Sequence, residues 1–430
     1  MEAALRLIFI NRFFYPDHSA TSQMLSDLAF GLAERGASVS VITSRLSYDD
    51  PAANWPARET IRGVQIERIW TSKFGRAGLA LRLVDYLTFY VSAAWTLARL
   101  ARRGDTVVAM TDPPALSIFV SLIAWLRGAV IVNWLQDIFP EVVEALQLAG
   151  TRSSLLLSPF RLARDASLRH ASMNVAIGSL MAERLLRSGV TPSRIAVIPN
   201  WADTNAILPI RPERNALRSE WCLSDKFVVA YSGNLGRAHG ITELLEAMTV
   251  AKGATGEPQP HWLFIGGGVG FEQLKRRANE RGVSNMTFRP YQPREHLSQS
   301  LSVADVHLVL LRSELEGLIV PSKFYGIAAA GRPVMFVGAA DGELARLIRR
   351  YDCGVAIAEG DGIGLARALS KLAQDLDRCS EMGERARAMC EKNFSKEQAI
   401  DRWLQLVEHV QEEAQVLRRT RPHNAAPFQR

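Results

Sequence analysis

Short apolar runs alternate with helix-like segments along this chain, and the alternation lapses once near the middle and then restarts. Leu5 to Ile10 reads as a strand, Thr21 to Glu34 carries a helical pattern, Gly36 ends it and Ser38 to Thr43 reads as a second strand. That is a βαβ unit. Val64 to Trp70, Thr106 to Met110, Ala129 to Leu135, Met173 to Ile177 and Ile195 to Ile198 continue the series. Strands separated by crossover helices predict an α/β fold with a doubly wound parallel sheet. From Pro199 to Cys222 the pattern gives way to Pro, Asn, Asp and Arg, and Phe227 to Ser232 opens a second series. It continues through His261 to Ile265, Met286 to Phe288, Val306 to Leu311, Pro333 to Val337 and Gly354 to Ile357.

The expected organisation is a first domain over residues 1–200, a linker over 201–225 and a second domain over 226–394. A C-terminal helix is expected over 395–417, capped by Ser395-Lys-Glu-Gln, with a basic tail over 418–430 expected to be disordered. Two such domains leave a cleft, the usual place for a ligand. A chain of 430 residues is too long for one core, and 48 % hydrophobic with 22 % charged residues is the composition of a folded protein.

Lys and Arg total 51 against 44 Asp and Glu, a net charge of +7 that suits an anionic ligand or an anionic membrane surface. No basic run carries interleaved aromatics and no nucleic-acid-binding motif occurs, so nucleic acid is not an expected partner. Cys222, Cys353, Cys379 and Cys390 are scattered as in a reducing compartment. The start of the chain lacks the pattern of a signal peptide, and a cytoplasmic protein is expected. Tyr86 to Leu97 and Ala115 to Leu126 are apolar, aromatic-rich and flanked by Arg, but charges interrupt the region before it can span a bilayer. Two readings stand: helices lying at the inner membrane face, or buried helices covering a parallel sheet.

Several segments carry chemistry. Tyr231-Ser-Gly-Asn-Leu-Gly-Arg-Ala-His-Gly240 joins a strand to a helix, and its Gly233, Asn234 and Gly236 permit backbone N–H groups to approach a diphosphate while Arg237 adds a cation. Gly266 and Gly267 end the next strand and admit a ligand as closely. Pro321-Ser322-Lys323 precedes a short small-residue helix, a third anion-binding candidate. Each loop alone is equally read as a tight turn. In the first half, Ala20, Thr21 and Ser22 open a helix, Asp137 lies just beyond a strand end and Glu141 on the following turn. Asp137 reads as a functional carboxylate or as a helix cap. No His, Cys, Asp or Glu spacing suggests a bound metal, and no G-x-S-x-G elbow occurs.

Phe14-Tyr-Pro-Asp17, Ala20-Thr-Ser-Gln23, Leu32-Ala-Glu-Arg-Gly36, Gln136-Asp-Ile-Phe-Pro-Glu141, Tyr231 to Arg237, Pro321 to Gly326 and Ala329-Ala-Gly-Arg-Pro-Val334 together give the chain another dimension. Over nearly its whole length it resembles the GT-B glycosyltransferases of the GT4 family, of the bacterial exopolysaccharide and colanic-acid type. The resemblance implies two Rossmann-like domains facing across a cleft and transfer with retained configuration, with no metal or other cofactor. The donor implied is a nucleoside-diphosphate sugar, GDP-fucose or a UDP-sugar, held mainly by the second domain. An acceptor held by the first domain is implied as well; the apolar, Arg-flanked stretches fit a polyprenyl-linked acceptor, an oligosaccharide being the other expected one, in surface polysaccharide biosynthesis, with Ala20, Thr21, Ser22 and Glu141 as acceptor-side candidates.

By resemblance Arg237 and Lys323 clamp the diphosphate, the region of Tyr291 lines the base pocket and Glu343 is a donor-side residue. Asp137, from its place beyond a strand end, is expected to accept the proton of the acceptor hydroxyl or to steady the sugar. The chain departs from the family where relatives carry a second glutamate of an E-x7-E motif, here Gly326, and Glu316 matches the first glutamate only with a longer loop. The alternatives are a GT-B sugar-nucleotide epimerase and a catalytically silent nucleotide-sugar binding subunit.

Overall fold

The structure is a computed structural model describing residues 5–47, 53, 55–75, 79–146, 153–253 and 259–420. Among these residues the first sheet contains β1 (Arg6–Ile10), β2 (Ser38–Ser44), β3 (Arg58–Ile61), β4 (Val64–Ile69), β5 (Thr106–Ala109), β6 (Val130–Leu135), β7 (Met173–Ala176) and β8 (Ile195–Val197). Their order is β3-β4-β2-β1-β5-β6-β7-β8, parallel except for the edge strand β3. The second sheet contains β9 (Val228–Asn234), β10 (His261–Gly267), β11 (Met286–Arg289), β12 (Val306–Leu310), β13 (Val334–Gly338) and β14 (Gly354–Ala358). It is parallel throughout, in the order β11-β10-β9-β12-β13-β14.

Helices α1 (Ala20–Glu34), α2 (Leu79–Leu100), α3 (Leu116–Leu126), α4 (Glu141–Ala145), α5 (Ser153–His170) and α6 (Ser179–Arg187) belong to the first sheet, and α7 (Ala216–Glu220) to the connection. The second sheet carries α8 (Thr242–Gly253), α9 (Val269–Glu280), α10 (Leu297–Ser302), α11 (Lys323–Ala329), α12 (Glu343–Tyr351) and α13 (Gly362–Gln374). α14 (Leu376–Asn393) and α15 (Lys396–Thr420) follow. The architecture is GT-B: two doubly wound domains and a C-terminal helix.

The central strands read as nearly continuous apolar runs because helices cover both faces of a parallel sheet. β5, β6 and β12 are buried along their whole length. In each sheet the strand order reverses beside one strand, β1 next to β5 and β9 next to β12. The connections on either side of such a point leave the sheet in opposite directions and open a crevice at the strand C-termini. The loops after β1, β5, β9 and β12 are therefore where ligand-facing residues should collect.

The two crevices are held close by backbone and side-chain contacts. Ile138 N–H donates to the Leu318 carbonyl at 3.0 Å, and Asp137 bridges Ile319 in antiparallel fashion. Arg184 donates to the Glu316 carbonyl at 2.7 Å, and Arg294 pairs with Asp27 at 2.8 Å. The expected cap of the last helix is present, with Gln398 N–H donating to the Ser395 hydroxyl at 3.4 Å. α15 runs past the expected Leu417 to Thr420 and packs on the first domain: Trp403 lies edge-on to Trp134 with centroids 4.9 Å apart. The disorder expected over 418–430 is corrected at its start, since 418–420 continue the helix, and 421–430 lie outside the described residues. Among the described residues no helix is long and apolar enough to cross a membrane.

Candidate active site

Lys323 opens α11, and its ammonium does not point to solvent. It donates to the Tyr231 hydroxyl at 2.5 Å and lies 3.7 Å from the centroid of that ring. Burial pushes its pKa down to about 7, because a charged ammonium loses hydration there without gaining a carboxylate. The Tyr231 hydroxyl passes the hydrogen bond on to the Asn234 carbonyl at 2.8 Å. A β-carbon built on Gly233 would lie 3.6 Å from Lys323 Nζ, so the lysine sits directly against the glycine-bearing end of β9. Gly266, next to last in β10, has a φ of +128°, and a β-carbon there would stand 2.4 Å from the Gly233 carbonyl oxygen. Only glycine allows the two strand ends to approach this closely.

Gly233, Asn234, Gly236, Gly266, Gly267, Pro321, Ser322 and Lys323 are thus gathered at the second switch point. Gly236 N–H donates to His239 Nδ1 at 3.0 Å, and burial together with the neighbouring Lys323 charge pushes the imidazole down to about 3. His239 is a neutral acceptor. Arg237 is exposed on the same loop and has no ion pair among the described residues. Tyr291 follows β11 and is 57 % exposed, with its ring 3.3 Å from where a Gly267 β-carbon would be.

Glu316 and Glu343 are committed to the protein. Glu316 Oε1 accepts Glu343 N–H at 2.9 Å and thereby caps α12. Burial raises its carboxyl above the usual range. Glu343 reaches across to the first domain, accepting the Ser179 hydroxyl at 2.8 Å and Leu180 N–H at 3.0 Å. A β-carbon on Gly326 would meet Leu301 Cδ1 at 3.6 Å, an ordinary contact, so the position does not exclude a β-carbon.

In the first domain Asp137 follows β6. The Thr111 hydroxyl donates to its carboxyl, whereas Oδ1 is buried without a partner. Burial raises the group to about 7, against the Thr111 bond, and the nearby Asp112 charge adds to the rise. Oδ1 is not alone, because Asp137 shares a small cavity with Asn133, whose own Oδ1 is also unpartnered. Sequence reasoning missed two further groups at the first switch point. Asp112 follows β5, and burial raises its carboxyl to about 6 against the pull of Arg12 and Arg82. Arg12 follows β1, lies over the rings of Phe13 and Tyr86 at 5.1 and 5.2 Å, and leaves a buried Nε without a partner.

The remaining first-domain candidates are engaged within the fold. Glu141 receives two hydrogen bonds from Arg164, at 2.8 and 3.0 Å. Burial pushes its carboxyl up, but Arg164 and Arg161 outweigh that and leave it below its usual range. Ser22 donates to the Asp17 carbonyl at 3.1 Å, and Thr21 accepts from Asn11 at 3.4 Å. Ala20 is exposed at the start of α1. Among the described residues no three His, Cys, Asp or Glu side chains gather as a metal cluster.

Two doubly wound domains whose switch points face each other define the class, a protein of the GT-B fold. A glycosyl transferase 4-like domain model matches residues 20–201, and a glycosyl transferases group 1 model matches residues 214–389. The chain is a GT-B-fold glycosyltransferase related to these families. WbjE of Pseudomonas aeruginosa, named 'Probable glycosyltransferase', is 29 % identical over 325 residues, 74 % of this chain and 78 % of its own. WcaI of Escherichia coli K12, named for colanic acid biosynthesis, is 26 % identical over 351 residues, 80 % of this chain and 85 % of its own. The structure of HepE from Anabaena in complex with UDP and glucose superposes with a TM-score of 0.70 at 16 % identity, covering 94 % of this chain and all of that one. At that identity the likeness speaks for the fold.

Proposed function

We propose that the protein transfers a sugar from a nucleoside-diphosphate donor, GDP-fucose or a UDP-sugar, to a polyprenyl-linked or oligosaccharide acceptor during surface polysaccharide synthesis. Transfer retains the anomeric configuration and needs no metal, and the enzyme works at the cytoplasmic face of the membrane. The observation that carries this reading is Lys323 Nζ standing against Gly233 at the second switch point, where two glycine-bearing strand ends meet. A desolvated lysine without a carboxylate is a site awaiting an anion. The complex of HepE with UDP and glucose supports the donor class, and the colanic acid biosynthesis in WcaI's name supports the polysaccharide setting.

In this reading the donor diphosphate lies between Lys323, Arg237 and the N–H groups of the glycine loop. As the glycosidic carbon–oxygen bond loosens, these groups stabilise charge growing on the leaving diphosphate. Asp137, ionised above about pH 7, takes the proton of the acceptor hydroxyl or steadies the sugar, with Asp112 beside it. Glu316 and Glu343 act through the closure of the two domains, and Tyr291 covers the base.

The test is thermal stabilisation by UDP and by GDP, each with and without magnesium. A nucleotide at about 100 times its Kd adds about 2.7 kcal/mol. A shift with one nucleotide, unchanged by EDTA, is expected; no shift with either overturns the donor site. Labelled sugar appearing in an acceptor, rather than as an altered nucleotide sugar, separates transfer from epimerisation.

A further inference from the structure

α2 and α3 pack side by side, with Tyr90 stacked on Phe119 at 4.3 Å and an interplanar angle of 12°. Their inner faces are buried, Phe89, Ala93 and Leu97 among them. Their outer faces are apolar as well. Leu83, Leu87, Val91 and Trp95 recur every fourth residue of α2 and are 52, 54, 70 and 68 % exposed, while Leu122 and Trp125 of α3 are 59 and 74 % exposed. A helix rises about 1.5 Å per residue, so the α2 row alone is roughly 18 Å long. A continuous apolar surface of this extent marks an interaction site.

Its charge fringe says what covers it. Arg99, Arg102, Arg103 and Arg127 are exposed at one end, and Arg82 at the other. Asp85 is the sole acidic residue in the two helices, and it is fully buried, accepting the Ser72 hydroxyl and the N–H groups of Phe74 and Gly75. Cations around an apolar surface bearing two tryptophans match the anionic headgroups, interface and acyl chains of a bilayer.

We propose that the outer faces of α2 and α3 dock on an anionic lipid bilayer, resting on the lipid-linked acceptor reading above. The row begins next to the first switch point: Arg82 Nε donates to the Tyr86 hydroxyl at 2.7 Å, and Arg12 lies over the same ring. Docking on this face sets the crevice of Arg12, Asp112 and Asp137 at the bilayer surface, where a lipid-linked acceptor presents its sugar.

The test is co-sedimentation of the full chain with vesicles of phosphatidylethanolamine and phosphatidylglycerol, compared with phosphatidylcholine alone. Binding at least about tenfold stronger to the anionic vesicles is expected, with loss of about tenfold in Trp95→Ala/Trp125→Ala and in Arg102→Glu/Arg103→Glu. Both pairs are exposed, and an unchanged thermal shift with UDP or GDP shows that the variants remain folded. Wild type that ignores anionic vesicles, variants that bind as well as wild type, or a dimer that the tryptophan pair dissociates would each overturn the proposal. Loss of nucleotide shifts with vesicle binding intact would instead sink the donor reading and leave the docking face standing.

Discussion

The Glu343 carboxylate of the second domain accepts the Leu180 N–H of the first at 3.0 Å. It thereby caps a helix in the other domain, since α6 begins at Ser179 without a side-chain cap of its own. The contact exists only while the domains are closed.

Glu343→Ala should loosen that closure. Loss of a helix cap costs about 0.5–2 kcal/mol, and here the loss falls on the closed arrangement more than on either domain. A larger radius of gyration by small-angle scattering is expected, with faster proteolysis between the domains. Glu343→Gln keeps one acceptor oxygen and should fall between wild type and Ala. Identical scattering for all three proteins would show that Arg184 and the Ile138–Leu318 bond hold the domains without it.

Lys323 gives a protonation signature. Its pKa is about 7 in the folded protein against about 10.4 unfolded. Between those values the unfolded chain holds a proton that the native state lacks, so this group makes stability rise with pH from about 7 to about 10. A bound diphosphate restores the charge, so UDP or GDP binding at pH 8 should take up a proton. Calorimetry in two buffers of different ionisation heat measures that uptake, and Lys323→Met should abolish it. Transfer should fall at least about tenfold in Lys323→Ala and in Arg237→Ala, about 1.4 kcal/mol in the barrier. Turnover near wild type in both variants would remove the clamp.

Asp137 behaves in the opposite sense. Its carboxyl is raised to about 7 from an unfolded value near 3.9. Over that interval the native state keeps a proton that the unfolded chain has lost, so this group makes stability fall as pH rises from about 4 to about 7. Asp137→Asn should flatten that slope. If Asp137 is the general base, kcat/KM rises through about pH 7 and the Asn variant loses about 10²-fold. An acid limb that persists unaltered in Asp137→Asn would shift the role to Asp112, whose carboxyl stands at about 6.

The parallel strands were legible because burial on both faces writes itself as unbroken Val, Ile and Leu. β3 was not: Arg58-Glu-Thr-Ile61 is an edge strand with exposed charges, and only its pairing to β4 makes it a strand. Lys323 and the glycine loop were legible as separate anion sites, and the strand order brings them together. Arg12 and Asp112 escaped notice because β1 and β5 become neighbours only through the topology, far apart in the chain. The direction of a first-turn carboxylate is likewise invisible in sequence, and Glu141 turns to Arg164. For Tyr86–Leu97 and Ala115–Leu126 the packed inner side fits helices covering a sheet, and their outer side is exposed and apolar.

Trp403 ties the end of the chain to the first domain, and its removal should be felt there. The ring is fully buried between α15 and the first sheet, edge-on to Trp134, and one turn earlier Ile400 fills the space where Gly31 has no side chain. Trp403→Ala should cost about 3–5 kcal/mol. The indole Nε1 has no hydrogen-bond partner, so Trp403→Phe removes an unpaired donor along with the lost volume and should cost distinctly less. Gly31→Leu approaches the same contact from α1, where a β-carbon would stand 2.2 Å from Ile400 Cδ1, and overpacking there should cost about 1–3 kcal/mol. Urea unfolding followed by tryptophan fluorescence measures all three. Midpoints that fall in the order Phe, then Ala, with an unchanged slope place α15 inside the cooperative unit of the first domain; an unaltered midpoint in Trp403→Ala would mean that the helix unfolds on its own.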